Sequence, residues 1–289
     1  MQDDSGAAPR QRPRATISSP SNARLKPVVA LRRRRDRERS GTMLVEGYEE
    51  LTMALRSGVR PLALYYCPAL VRDQAQVELL AVAEATGAEL VELGERAFAK
   101  ASYRDAPDGW LALVPTVSTT LDRLSLGADP LVIVCESVEK PGNLGAILRT
   151  AEAAGVDAVI AAPARSDWGN PNVVRASKGT VFSVPVAEAG TSELVEWLHA
   201  HGMAIIATTP DSPSTFATTD LRAGVAIAVG SESQGLSAAW LEAADARVRI
   251  PMFGRVNSLN VATAAALLAY EALRQRGRLD APDGASWPS

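Results

Sequence analysis

From residue 131 onward, short apolar runs recur at 131–134, 158–161, 204–207, 225–229 and 248–250, each bounded by turn residues. Runs of this length and continuity are the mark of parallel strands buried on both faces. Helical patterns fit between them, at 144–154, 192–201, 238–244 and 260–275. The alternation predicts an α/β fold with a doubly wound parallel sheet whose functional edge lies at the strand C-termini. The N-terminal half predicts a smaller α/β unit, with strands at 43–45, 62–66, 89–93 and 110–114 and helices at 49–56 and 73–85. Ahead of it, Ser18, Ser19, Pro20 and Ser21 read as a helix start, and that helix is expected to run through the arginine cluster to Arg39. The expected organisation is a disordered polar tail (1–16), an N-terminal domain (17–115), a linker (116–130), a larger second domain (131–278) and a short tail (279–289). No internal repeat is visible.

The chain of 289 residues is 47% hydrophobic and 22% charged, a globular balance. The longest useful uncharged run, 256–270, falls short of the ~18 residues of a membrane span. With no signal-peptide pattern either, a cytoplasmic protein without a membrane partner is expected. Cys67 and Cys135 both sit in apolar runs and read as core. His199 and His201 read as a solvated helix end. Two Cys and two His offer no metal-ligand spacing, so no metal is expected.

Net charge is −3 but unevenly spread: residues 1–40 carry 11 Lys/Arg against 4 Asp/Glu. A basic arm on an acidic body suits an acidic partner. Within it, Arg32, Arg33, Arg34, Arg35 and Arg37 put five arginines in six positions. Pairs Arg32–Asp36 and Arg34–Glu38 at i,i+4 explain part of this as a solvated helix. Two acids cannot pair five arginines, which favours phosphate contact with RNA.

Three segments at strand ends carry unusual polar residues. The first runs from Glu139 through Asn143 to Arg149. Asn143 has an ordinary role as helix N-cap, while Arg149 falls about two turns along, next to the small residues Gly145 and Ala146. The second, Gly230-Ser231-Glu232-Ser233-Gln234-Gly235-Leu236, brackets a polar turn with two glycines. Its Glu232 has an ordinary role in capping before Ser237. The third runs Ile250-Pro251-Met252-Phe253-Gly254 to Ser258-Leu259-Asn260-Val261, with Ser258 placed to cap a long alanine-rich helix. No dinucleotide fingerprint or Walker sequence is present.

In this order the three segments resemble the SpoU/TrmH branch of the SPOUT methyltransferases. They match its Asn-x5-Arg, Gly-x-Glu-x-x-Gly-Leu and Ile-Pro-Met-x-Gly…Ser-Leu-Asn-Val motifs. The resemblance covers residues 131–276 and extends weakly to Val45-Glu46-Gly47, which look like the family's L30e-like substrate-binding extension. One mild variation is Ala262-Thr263, where many relatives carry Ser.

The resemblance implies a C-terminal trefoil knot, a homodimer, and S-adenosylmethionine held in the knot crevice. It implies cofactor contacts from Gly230, Ser231, Ile250, Ser258 and Leu259, with Thr208, Thr209 and Met252 lining the crevice. The implied catalytic residues are Arg149, Asn143, Glu232, Ser258 and Asn260. A guanidinium stays protonated, so Arg149 is read as a phosphate clamp rather than a free base. The activity implied is 2′-O-methylation of an RNA ribose. The two-domain form favours 23S rRNA, and the similarity extends to members that confer resistance to ribosome-targeting antibiotics. A tRNA 2′-O-methyltransferase and a non-catalytic rRNA-binding assembly factor are the alternatives.

Overall fold

The computed structural model describes residues 15–72 and 74–280, and within it the chain divides into two compact units at Thr116/Val117. The first unit holds β1 (Ala15–Ile17), α1 (Leu25–Ala30), α2 (Arg34–Ser40), β2 (Thr42–Glu46), α3 (Tyr48–Arg56), β3 (Ala63–Tyr66), α4 (Gln74–Ala85), β4 (Glu89–Leu93), α5 (Glu95–Ala101) and β5 (Trp110–Pro115). Its five strands are ordered β1-β4-β3-β5-β2. The first three are parallel, and β5 runs antiparallel to both β3 and β2.

The second unit holds β6 (Leu131–Cys135), α6 (Pro141–Ala154), β7 (Ala158–Ala161), α7 (Pro171–Ala176), β8 (Val186–Glu188), α8 (Thr191–Ala200), β9 (Ala204–Thr208), β10 (Val225–Val229), α9 (Ala238–Ala243), β11 (Ala246–Val248) and α10 (Val261–Gln275). All six strands are parallel, in the order β11-β9-β10-β6-β7-β8. On one face Val132, Val134, Ile205, Ala226 and Ala228 pack with Leu194, Leu198 and Trp240 of α8 and α9. The alternate side chains, Leu131, Ile133 and Ile227, are equally buried and point to the opposite face. There α10 lies over β6 and β10 and packs on α6. Burial on both faces is why these strands read as unbroken apolar runs. Leu121 is buried in the same core, so the segment after Thr116 packs on this unit.

Several elements differ from expectation. Strand β1 begins at Ala15, inside the segment expected to be disordered, because its backbone pairs with β4; residues 1–14 lie outside the described residues, as do 281–289. The single basic helix is two helices, broken at Leu31–Arg33. Arg33 is extended (φ −96°, ψ 134°), and the Leu31 carbonyl accepts from Arg37 Nη1 at 2.8 Å rather than from the amide four residues on. Strand β11 ends at Val248, not Ile250, since β9 ends at its partner Thr208. Helix α6 starts at Pro141, whose fixed φ and missing N–H suit a first turn, so Asn143 lies inside the helix and is not its cap. Asn260, not Ser258, caps α10, accepting from the Ala262 amide at 3.0 Å.

The small residues beside Arg149 have an internal cause. A Cβ on Gly145 would stand 2.5 Å from Ala176 Cβ and 2.8 Å from the Ser177 amide nitrogen. Glycine is there so that α6 can meet the end of α7, not to admit an external partner. Both cysteines are buried, and burial pushes their thiols up, Cys135 to about 12. His201 ends α8 and stacks on Trp197 at 4.1 Å.

Candidate active site

Strands β6, β9, β10 and β11 are parallel, so the segments that follow them leave the same edge of the sheet. After β6 the chain enters α6, and after β10 it enters the turn Gly230–Leu236. Beyond β11 it forms the exposed loop 253–260. The carboxamide of Asn143 joins these segments. Its Nδ2 donates to Glu232, 89 residues away, and its Oδ1 accepts from Asn260 Nδ2 at 3.0 Å, 117 residues away. Lys140 Nζ lies 3.7 Å from Glu232 Oε1. Asn143, Glu232 and Asn260 therefore form one cluster at the start of α6, although each has a bland local role on sequence grounds.

The turn after β10 is built tightly. The Gly235 amide donates to the Ser231 carbonyl at 2.9 Å, and the Gln234 amide to Ser231 Oγ at 3.2 Å. Gly235 takes φ +66°, which favours glycine. Folded back this way, the turn lays the Gly235 carbonyl and Leu236 nitrogen against Gly230, where a Cβ would overlap both. The capping expected of Glu232 falls to another residue. Glu136, buried at the end of β6, accepts from the Ser237 amide at 2.7 Å. Sequence reasoning missed Glu136; a lone acid directly after an apolar strand was the available signal.

The remaining expected residues stand apart from this cluster. Thr208 donates its hydroxyl to the Ala228 carbonyl at 2.9 Å, and the Thr209 amide bonds the Val248 carbonyl at 2.9 Å. Both threonines, Ile250 and Met252 are half-buried along the sheet edge, while Ser258 and Leu259 are exposed in the loop. Arg149 lies six residues beyond Asn143, about 9 Å along the helix axis. It is exposed and makes no hydrogen bond or ion pair with a described residue.

The expected RNA-binding arginines divide. Arg37 is buried and spends its guanidinium on the Leu31 carbonyl, so it is unavailable to phosphate. Arg32 is half-buried and its Nη2 donates to the carbonyls of Lys100, Ala101 and Ser102 at the end of α5. Helix-terminal carbonyls hold its charge in place. Arg34 pairs with Glu38 at 2.7 Å as expected, whereas Asp36 pairs with Arg39 at 3.0 Å and not with Arg32. Arg33 and Arg35 are exposed.

Residues 130–270 match the model of the SpoU rRNA Methylase family, and residues 22–112 match the MRM3-like substrate binding domain. The chain is 30% identical over 256 residues to the 23S rRNA (guanosine(2553)-2′-O)-methyltransferase RlmP of Bacillus subtilis, covering 88% of this chain and 97% of that protein. The chain belongs to the SpoU rRNA methylase family. It is also 31% identical to a 23S rRNA (uridine(2479)-2′-O)-methyltransferase of Streptomyces viridochromogenes, over 91% of this chain and 94% of that one. Among solved structures it superposes on the SpoU methyltransferase AviRb of S. viridochromogenes in complex with AdoMet. There the TM-score is 0.81 at 30% identity, covering 88% of this chain and 98% of that one. As a member of this family the protein is an RNA methyltransferase, and its N-terminal unit is a substrate-binding domain. No helix among the described residues is long and apolar enough to cross a membrane. Among the same residues no group of three or more His, Cys, Asp or Glu is placed to hold a metal ion.

The Glu232 carboxylate is already engaged by Asn143 and Lys140. Replacing Asn143 tests that arrangement. In Asn143→Ala both hydrogen bonds go, at about 0.5–1.5 kcal/mol each. In Asn143→Asp the acceptor for Asn260 stays, while the donor to Glu232 is replaced by a second carboxylate. Thermal melts at pH 7 should therefore place both variants below the parent.

Proposed function

We propose that this chain transfers a methyl group to the ribose 2′-oxygen of a nucleotide in 23S rRNA, with S-adenosylmethionine as donor. The observation that carries the proposal is the meeting of Asn143, Glu232 and Asn260 from three separate motif segments at one sheet edge. The named activities of the B. subtilis and S. viridochromogenes relatives support 23S rRNA as the substrate.

The donor fits this edge. Gly230 lets the turn after β10 fold back tightly on its own backbone, and Ile250 and Met252 are half-buried apolar residues in the segment that follows β11 at the same edge. In this reading Gly230, Ser231, Ile250, Met252, Ser258 and Leu259 hold the cofactor, with Thr208 and Thr209 at the floor of the crevice. When bound, S-adenosylmethionine supplies an electrophilic methyl on its sulfonium sulfur. The chain's part is to hold the 2′-oxygen in line with that methyl, while the proton that leaves the oxygen passes to the RNA phosphate held by Arg149 and from there to water. Arg149 clamps an RNA phosphate bidentately, while Asn143 and Asn260 orient the ribose.

The proposal includes the knotted path and L30e-like first domain that the family resemblance implies, and a cytoplasmic homodimer. Leu267 and Tyr270 expose an apolar stripe on α10, and Phe253 is 99% exposed nearby in sequence, which supports self-association. A resistance role is part of the same proposal.

The test is methyl transfer from tritiated S-adenosylmethionine to 23S rRNA, 16S rRNA and bulk tRNA in turn, using the species that sediments as a dimer. Digestion to nucleosides should place label on a 23S ribose, and a strain expressing the protein should gain tolerance to a drug bound near that nucleotide. Label on tRNA alone overturns the substrate, label on a base overturns the chemistry, and a monomer alone at micromolar concentration removes the dimer.

A further inference from the structure

Tyr103 follows α5 and is 39% exposed, while the backbone that carries it is firmly held. Its amide donates to Glu46 Oε2 at 2.7 Å, and Glu46 is itself buried. On one side of it Ser102 gives its hydroxyl to the same carboxylate. On the other, Arg104 Nη2 donates to the Glu46 carbonyl at 2.8 Å and to the buried Glu50 at 2.7 Å. Two buried carboxylates and one arginine thus fix a three-residue segment whose middle side chain faces solvent.

Arg32 completes the arrangement. Its Nη2 is held by the last carbonyls of α5, and its guanidinium carbon lies 5.9 Å from the centre of the Tyr103 ring, within cation–π range. Exposed cations stand near this pair in sequence, with the exposed acid Asp105 two residues beyond Tyr103. Arg33 and Arg35 are exposed just beyond Arg32, and Lys100 is exposed at the end of α5. Fixed aromatic rings bordered by exposed cations are how proteins take hold of single-stranded nucleic acid: the ring stacks on a base while the cations meet its phosphates.

We propose that Tyr103, backed by Arg32, is a stacking platform for one unpaired base of the RNA substrate, with Arg33 and Lys100 on the flanking phosphates. The proposal deepens the rRNA methyltransferase reading by naming how the first domain grips its substrate. It rests on that reading only for the identity of the RNA. A purely structural Tyr103 would need its ring for packing and would tolerate a bulky aliphatic replacement; a stacking Tyr103 needs an aromatic face.

The experiment measures binding of fluorescein-labelled r(A)12 and r(U)12 to the full chain and its variants over a salt series. Stacking is worth about 5- to 140-fold in affinity per base. Tyr103→Ala and Tyr103→Leu should therefore weaken binding by that factor, more for r(A)12 than for r(U)12. Tyr103→Phe and Tyr103→Trp should bind within about threefold of the parent. The slope of log affinity against log salt should be unchanged in the Tyr103 series. It should fall by about 0.7 for each cation removed in Arg33→Ala and Lys100→Ala. Leucine binding as well as phenylalanine overturns the platform. So does loss of affinity that tracks a lowered melting temperature across the series. Methyl transfer read on the same proteins separates the two proposals. Aromatic-dependent binding without transfer to any RNA removes the methyltransferase reading and keeps the platform. Normal transfer to 23S rRNA with binding indifferent to residue 103 does the reverse.

Discussion

Replacing Arg149 by lysine should lower single-turnover methyl transfer by at least about 100-fold while leaving the melting temperature unchanged. The stability half follows from its surroundings. Arg149 is exposed on α6 and makes no hydrogen bond or ion pair with a described residue, so its loss disturbs stability by about 0.5 kcal/mol or less. The activity half follows from geometry. Guanidinium presents a planar fork that pairs two phosphate oxygens at once, whereas ammonium presents a point charge on a flexible stem. A clamp of this kind acts by placing the 2′-oxygen, and misplacing a reacting group by about 1 Å costs about 10²-fold in rate. Because lysine keeps the charge, the salt-dependent part of RNA affinity should persist, and the loss should fall on the chemical step rather than on KM. An Arg149→Lys enzyme within threefold of the parent would remove the clamp from the mechanism.

How far the sequence could be read depends on the range of the forces involved. The central strands of the second sheet were legible because they are buried on both faces: all five residues of β6 are buried, and the shortness of such a run between turn residues marks it as strand. Strand β8 has three residues, too few to show a period, and helix α7 has six and no run of apolar positions long enough to mark it as α9 was marked. For α7 a local signal existed, in Asn170 accepting from the Asn172 amide at 2.9 Å with Pro171 at the first helical position. The arginine cluster shows the other limit. Arg32 and Arg33 are neighbours in sequence with opposite fates, because the carbonyls that hold Arg32 lie 68 to 70 residues away. Asn143 is similar: its local chemistry says helix cap, and its partners are brought in by topology. In the candidate site, motif order named three segments from which the fold brings Asn143, Glu232 and Asn260 together. Which atoms meet was not readable, since those contacts are set by where parallel strands end and not by local pattern.

Gly230→Ala should weaken binding of S-adenosylmethionine by more than tenfold and lower the melting temperature by several degrees. A methyl group there has no space, because the Gly235 carbonyl and the Leu236 nitrogen already occupy its position as backbone. Backbone cannot rotate away as a side chain can, so the turn itself must open. Its movement is opposed on both sides. Leu236 is buried in the core, and Ser237 is tied to the buried Glu136. Overpacking of this kind costs about 1–3 kcal/mol, which for a unit of this size is about 2–4 °C per kcal/mol. Opening the turn also withdraws Glu232 from Asn143, so the proposed cofactor site and the Asn143 cluster lose their shape together. Titration calorimetry with S-adenosylmethionine reads the first effect and a thermal melt the second. Gly127→Ala serves as control, since a Cβ there meets nothing within 4 Å, and it should change neither. If Gly230→Ala binds the cofactor and melts like the parent, the turn is not the rigid wall of the crevice that the mechanism requires.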